Sequence, residues 1–317
     1  MKDAIMLKRS AEKKFQMERS NAGCMLEGKK LTKIFTSGFF KRKKVVAVEN
    51  VDVSIPRGET VGLIGESGSG KSTLARLLCL LIKPTSGCVL FDGSEVTNLK
   101  RKDLKTFRRK VQLIPQHPEE ALDPRWKVVD SVAEPAKIHG ILNRNKFDFV
   151  RELFEIVGLK KEHMDRYPYE LSGGEVQRIV IARALSLKPE ILICDEPTSM
   201  LDASFQASIV RLLMDLQKEL KIGYLFITHD VELARAISNR FLIMFKGEIV
   251  EDGLIDEPLH PYTKQLFSFE IPETSRKLSR GCKFSEVCTE KIEICDVKKP
   301  ELIDLGKKKV KCHLYSK

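Results

Sequence analysis

Gly65-Glu66-Ser67-Gly68-Ser69-Gly70-Lys71-Ser72 sets glycines, a lysine and a hydroxyl in the spacing G-x-x-x-x-G-K-[ST], followed by Thr73. That pattern is suited to holding phosphate. Glycines let the backbone curl until successive N–H groups point at phosphate oxygens, and the following helix directs its positive end to the same place. Lys71 is spaced to reach the β- and γ-phosphates of a nucleotide, and the Ser72 hydroxyl to ligate Mg²⁺. The reading requires a strand before the loop and a helix after it. Glu59-Thr60-Val61-Gly62-Leu63-Ile64 reads as a short buried strand, and 73–82 as a helix.

The rest of the chain must supply a core able to position that loop. At 317 residues and 42% apolar content it can form one sizeable domain with appendages. The longest uninterrupted apolar run, Leu77 to Ile82, is six residues, against about 20 for a membrane span. The charged N-terminus is not followed by an apolar stretch of the signal-peptide kind. The expectation is a cytoplasmic chain that reaches a membrane only through partners. The net charge of +11 is concentrated in Lys41-Arg42-Lys43-Lys44, Lys100-Arg101-Lys102, Arg108-Arg109-Lys110 and Lys307-Lys308-Lys309. None of these adjoins a nucleic-acid-binding motif, so no nucleic-acid partner is expected. A solvated basic face near anionic lipid is the reading. Residues 1–25 are polar and read as a loose extension.

Leu171-Ser172-Gly173-Gly174-Glu175-Val176-Gln177-Arg178 supplies a second phosphate-facing pattern, with a hydroxyl and two bare glycine N–H groups at a helix start. With the phosphate loop, this stretch resembles the signature of ATP-binding-cassette (ABC) ATPases. The resemblance implies that Ser172, Gly173 and Gly174 cap the γ-phosphate of an ATP held by an opposing subunit. Ile191-Leu192-Ile193-Cys194-Asp195-Glu196, an apolar strand ending in two carboxylates, resembles the family's Walker B segment. By that resemblance Asp195 holds Mg²⁺ and Glu196 polarises the attacking water. His229, in Phe226-Ile227-Thr228-His229-Asp230, matches the switch histidine. Gln116, in Ile114-Pro115-Gln116-His117-Pro118, matches the Q-loop ligand of Mg²⁺ and water. Asp202, in Ser199-Met200-Leu201-Asp202, matches the D-loop. An aromatic side chain should stack on adenine, with Phe35 the candidate and Phe39 and Phe40 its rivals.

Within the class, Lys83-Pro84-Thr85-Ser86-Gly87, Leu122-Asp123-Pro124-Arg125, Tyr167-Pro168-Tyr169-Glu170 and His260-Pro261-Tyr262-Thr263 resemble the oligopeptide, dipeptide and nickel import ATPases, specifically the second of their two non-identical ATPases. The resemblance implies a partner ATPase, two transmembrane permease subunits and, indirectly, an extracellular solute-binding protein, with this chain at the cytoplasmic face of the membrane. Nickel or metal-chelate import, and a soluble non-transport ATPase of translation or DNA repair, are the alternatives. Three departures are present: Glu175 where glutamine is common, His117 where aspartate is, and Met200 where alanine is. None removes a phosphate-facing group.

Four of the eight cysteines, Cys282, Cys288, Cys295 and Cys312, fall in the last 36 residues with spacing C-x5-C-x6-C-x16-C. Four soft thiolates suit a 4Fe–4S cluster or zinc. The resemblance of Gly281-Cys282-Lys283-Phe284 through Cys312-His313-Leu314 to the family's C-terminal extension favours the cluster. A redox-sensing role for this tail is a further alternative. The expected fold is α/β: an ABC-type nucleotide-binding domain at 26–270 with a RecA-like core around a mainly parallel sheet, an antiparallel β subdomain and an inserted helical subdomain at about 124–171. The Cys-rich extension is expected at 271–317.

Overall fold

The computed structural model describes residues 25–37, 43–254, 257–268 and 280–316. The N-terminal extension up to residue 24, with Cys24, and the adenine-stacking rivals Phe39 and Phe40 lie outside the described residues. The strands in chain order are β1 (Met25–Ser37), β2 (Lys43–Pro56), β3 (Thr60–Ile64), β4 (Ser86–Phe91), β5 (Ser94–Glu95) and β6 (Val111–Ile114). They continue as β7 (Ile191–Asp195), β8 (Gly223–Thr228), β9 (Arg240–Phe245), β10 (Glu248–Gly253), β11 (Ile303–Asp304) and β12 (Lys308–Val310). The chain divides into two compact units, one built mainly from 91–225 and the other from 27–54, 60–90 and 226–316. Among the described residues no helix is long and apolar enough to cross a membrane.

In the first unit β6 and β7 run parallel, with Val111 opposite Ile191 and Ile114 opposite Cys194. Every residue of β7 is buried, as a strand covered on both faces must be. The helices Val128–Ile138, Lys146–Val157 and Gly173–Leu185 pack on one another. Two of these helices fall within 124–171, where a helical subdomain is expected. Asn145 accepts a hydrogen bond from the N–H of Phe147 at the start of the second helix, and Gly158 ends it in the left-handed conformation at φ 72°. Val150, Leu153, Phe154 and Val157 recur at helical spacing on its buried face. Truncating the buried Phe154 to alanine would cost about 3–5 kcal/mol.

In the second unit β1 lies between β2 and β4, and a second sheet runs in the order β11-β12-β10-β9-β3. β3 and β9 are parallel, with Val61 opposite Arg240, whereas β9–β10, β10–β12 and β11–β12 are antiparallel. The tail, expected as a Cys-rich extension, therefore continues a sheet of the second unit, Val310 pairing with Glu251. Glycine at position 62 follows from packing, since a Cβ there would sit 2.6 Å from Ser238 Oγ. The helix expected at 73–82 runs over Lys71–Leu78 instead. Leu80 turns into the left-handed region at φ 52°, and the N–H of Leu81 folds back to the Arg76 carbonyl at 2.9 Å. Burial of Cys79 and Leu80 holds a turn that apolar periodicity alone would read as more helix.

Candidate nucleotide site

The phosphate loop belongs to the second unit, joining fully buried β3 to the Lys71–Leu78 helix. Gly68 and Gly70 both have positive φ, 77° and 110°, conformations that suit glycine. A Cβ at Gly70 would meet the Ala47 carbonyl oxygen at 2.2 Å, and one at Gly65 the Met244 carbonyl oxygen at the same distance. These glycines are fixed by close backbone neighbours as well as by the turn. The Ser69 N–H donates to the Glu66 carbonyl at 3.2 Å, closing the curl, and Glu66, Ser67, Ser72 and Thr73 flank it. Lys71 is buried, and its ammonium donates to the carbonyls of Gly65 and Glu66 at 2.7 and 2.8 Å. The loop is thus a ring of backbone closed by its own lysine at the positive end of a helix, a geometry that recruits phosphate.

In the same unit His229 follows β8 and is exposed. The next residue, Asp230, caps the Val231–Ile237 helix by accepting from the N–H of Leu233 at 3.0 Å. Phe35 stands near the end of β1, 42% exposed, with the Lys33 ammonium 5.2 Å from its ring centroid. An exposed ring that already attracts a cation is free to take a flat partner on a face.

The first unit carries the carboxylates. Asp195 ends β7 and is buried, and Glu196 follows with φ 47°. A glutamate in the left-handed region is strained. It is held there in part by Ser199, whose N–H and hydroxyl both donate to the Glu196 carbonyl, at 3.3 and 3.1 Å. Gln116 Nε2 donates to Glu196 Oε2 at 3.2 Å. Asp202 is the N-cap of the Ala203–Leu220 helix, its carboxylate accepting from the N–H groups of Ser204 and Phe205.

Ser172 caps the Gly173–Leu185 helix in a reciprocal box with Glu175. The Ser172 N–H and hydroxyl donate to Glu175 Oε2 at 2.9 and 2.8 Å, while the Glu175 N–H donates to Ser172 Oγ at 3.4 Å. The hydrogen bond from the Ser172 backbone N–H is the leading cause that holds the Glu175 carboxyl below its ordinary range, helped by the Ser172 hydroxyl and nearby His163. A Cβ at Gly174 would lie 2.5 Å from the Phe205 ring and would have to displace it. The Asp202-capped helix is therefore packed directly on the start of the signature helix.

Cys282, Cys288, Cys295 and Cys312 are free thiols of the second unit and lie in one neighbourhood. Burial pushes the Cys282 thiol up to about 11, and the nearby Cys295, Cys312 and Cys288 add to the shift. Burial likewise raises Cys288 and Cys312. A soft-metal centre needs these sulfurs deprotonated and at ligand spacing. Among the described residues no group of three or more His, Cys, Asp or Glu side chains is arranged to hold a metal ion. The donor types fit the 4Fe–4S cluster or zinc expected from the sequence, but the placement does not.

Sequence reading passed over Glu175 as a participant in the cap and gave Tyr262 no individual role. The first was legible as the S-x-x-E pattern of a capping box, the second only as a polar aromatic after a proline.

Residues 48–199 match the family model described as ABC transporter. The chain is 48% identical over 264 residues to the oligopeptide transport ATP-binding protein OppF of Bacillus subtilis, covering 81% of this chain and 86% of that protein. It is 39% identical over 330 residues to AppF of the same organism, with 95% and 100% covered, and 39% identical to the di/tripeptide transport ATP-binding protein DppF of Pseudomonas aeruginosa, with 87% and 92% covered. A solved dimeric ATP-binding cassette in a post-hydrolysis state with ADP and Pi superposes with a TM-score of 0.64 at 30% identity, covering 72% of this chain and 97% of that one. The chain belongs to the ABC transporter family, as an ATPase subunit of the peptide-import group.

Proposed function

We propose that this chain hydrolyses ATP to energise an importer of oligopeptides or dipeptides. The solute class rests on relatives named for oligopeptide and di/tripeptide transport. The chemistry rests on one observation above the others, the hydrogen bond from Gln116 to the strained Glu196. In this reading the loop Gly65–Thr73 cradles the phosphates, and Lys71 leaves its two carbonyls to meet the β- and γ-oxygens. Ser72, Asp195 and Gln116 would hold Mg²⁺, which when bound neutralises the charge developing on the phosphoryl oxygens. Glu196 polarises the attacking water, Gln116 orients that carboxylate, and His229 contacts the γ-phosphate. Phe35 stacks on adenine. Ser172, Gly173, Gly174 and Asp202 serve the ATP of an opposing, non-identical ATPase subunit.

The helical subdomain supports a contact with two permease subunits at the cytoplasmic face of a membrane. It exposes Trp126 and Tyr169, 42% and 73% accessible, aromatic types enriched at protein contacts. An extracellular solute-binding protein would deliver the peptide. For the tail, four thiols in one neighbourhood support a soft-metal centre, and the lack of a ligand-spaced trio among the described residues counts against it. Iron, sulfide and zinc analysis of anaerobically prepared protein decides, and no step of the ATP chemistry depends on it.

Affinity capture of the chain from membranes of its own cells tests the assembly. A second ATPase and two integral-membrane subunits are expected in the captured material. Ribosomal proteins or DNA in their place would favour a non-transport ATPase, and nickel-dependent growth lost on deletion of the gene would move the solute to metal chelates.

A further inference from the structure

The segment that follows the first tail cysteine makes two separate contacts with the supports of the phosphate loop, all within the second unit. The first runs through aromatic rings. Phe284, 1% exposed, stands edge-on to Phe245 with centroids 5.3 Å apart and 5.6 Å from the ring of Tyr262. Tyr262 is fully buried and lies 4.5 Å from Phe245. Its hydroxyl accepts a hydrogen bond of 3.2 Å from the backbone N–H of Glu66, the second residue of the loop. Tyr262 is thus a core residue on its ring and a phosphate-loop residue at its oxygen. Cys282, Val287 and Cys288 pack against the same apolar cluster.

The second contact is electrostatic. The Lys283 ammonium donates to the Lys246 carbonyl at 2.8 Å and pairs with Glu49 at 2.7 Å and Glu248 at 3.3 Å. The adjoining Gly247 N–H donates to the Ser69 carbonyl at 2.7 Å, and the Gly247 carbonyl accepts from the Glu49 N–H at 2.8 Å. Lys299 joins Glu49 and Glu248, and Lys311 joins Glu248 at 2.9 Å. Three lysines of the tail therefore fasten the turn on which Ser69 rests. Loop backbone is reached from the tail through Tyr262 at Glu66 and through the Lys246–Gly247 peptide at Ser69.

We propose that Tyr262 is a positioning residue for the phosphate loop and that the Cys-rich tail, through Phe284 and Lys283, is the brace that holds it. The inference rests on the assignment of Gly65–Thr73 as the ATP phosphate cradle. A loop whose N–H groups must converge on phosphate oxygens binds best when its backbone is already fixed, since ordering it on binding subtracts from affinity. The Tyr262 hydroxyl fixes Glu66, and the tail fixes the Tyr262 ring. Neither Tyr262 nor Phe284 belongs to the Gly65–Thr73 loop itself. A disturbance of the tail is thereby transmitted to ATP affinity more than to the hydrolytic step, which the carboxylates of the other unit perform.

The test measures ATP affinity by fluorescent-nucleotide binding and the KM-against-kcat split in the assembled transporter, for Tyr262→Phe, Phe284→Leu and the double variant. Tyr262→Phe keeps the ring and removes the hydroxyl that bonds Glu66, so Kd and KM for ATP should rise about threefold to tenfold with kcat within about twofold. Phe284→Leu should raise Kd similarly, and in the Tyr262→Phe background its effect should shrink, because both act through one hydroxyl. Lys71→Ala runs beside them. If it leaves ATP binding intact, the phosphate-cradle assignment itself fails. If it abolishes binding while Tyr262→Phe leaves Kd and KM unchanged, or lowers kcat alone, the positioning role is wrong. Fully additive effects would remove the tail from the chain of contacts. If Phe284→Leu does not fold, Lys283→Met replaces it as the tail variant. It leaves the rings in place and must raise Kd by itself, and an unchanged Kd there contradicts the brace.

Discussion

Gln116 and Glu196 each stand two residues beyond a paired position of adjacent parallel strands, Ile114 opposite Cys194, and their side chains meet at 3.2 Å. The register of β6 on β7 is what brings amide and carboxylate together. A two-residue deletion in either strand end would separate them without touching the nucleotide loop.

Glu196→Gln should bind ATP with near-normal affinity and lose hydrolysis by about 10²–10⁴-fold, the usual contribution of a general base. Turnover in the assembled transporter, measured with ATP binding, checks it. Unchanged hydrolysis would remove Glu196 from the chemistry. Gln116→Ala should lower kcat by less, since it orients the carboxylate without replacing it.

Glu175 places a carboxylate where the signature helix should attract phosphate. Glu175→Gln keeps an acceptor for the Ser172 cap and removes the charge, so ATP affinity of the dimeric state should rise severalfold. The helix start should weaken by about 0.5 kcal/mol through loss of the favourable charge at its N-terminus. Nucleotide-induced dimerisation and thermal melting read the two effects separately. Weaker dimerisation would show that the carboxylate assists the closed state.

Glu49 opposes its own burial. Burial alone would raise its carboxyl, but hydrogen bonds from Lys283 and Lys299 and their charges hold it at about 2. Its folded value lies below the ordinary 4.5, so its contribution is fully present above 4.5 and is lost as pH falls from there through 2. Glu248 shares the same lysines. Melting temperature should therefore drop across that acidic window, and Glu49→Gln should flatten the drop while lowering stability at neutral pH. An unchanged pH profile in the variant would mean the cluster does not anchor the tail.

Lys283→Met leaves Glu49 and Glu248 with Lys299 and Lys311 as their remaining tail partners. The Lys246 carbonyl loses its tail donor. Protease should then cut the tail faster in the variant than in the parent, by an order of magnitude or so if opening is weakened by about 1.4 kcal/mol. Equal rates would show that the strand pairing of β12 with β10 is sufficient by itself.

The glycine-rich loop and the Ser172 helix start were legible in the sequence because backbone geometry confines each to a short contiguous string. Gly68 and Gly70 occupy positive φ, and the cap at Ser172 is written locally as Ser-Gly-Gly-Glu. The Gln116–Glu196 contact joins positions 80 apart, and the family resemblance gave each residue a role without pairing them. The tail is the opposite case. Its cysteines were conspicuous by type, yet the contacts that tie it to the core come from Lys283, Phe284, Lys299 and Lys311, residues whose types give no hint of their partners. Phe284 meets Tyr262, and Val310 meets Glu251, only through tertiary pairing. The end of the Lys71–Leu78 helix was misjudged because Leu80 is buried in a left-handed turn, a tertiary outcome that overrides local preference.

The most direct measurement is ATP hydrolysis by the complete transporter in lipid vesicles, with its solute-binding protein empty, loaded with mixed short peptides, or loaded with chelated nickel. Peptide-loaded binding protein should raise hydrolysis several-fold over the empty form, and Glu196→Gln should abolish the increase. Stimulation by nickel chelate alone, or by neither solute, would contradict peptide import as the work of this ATPase.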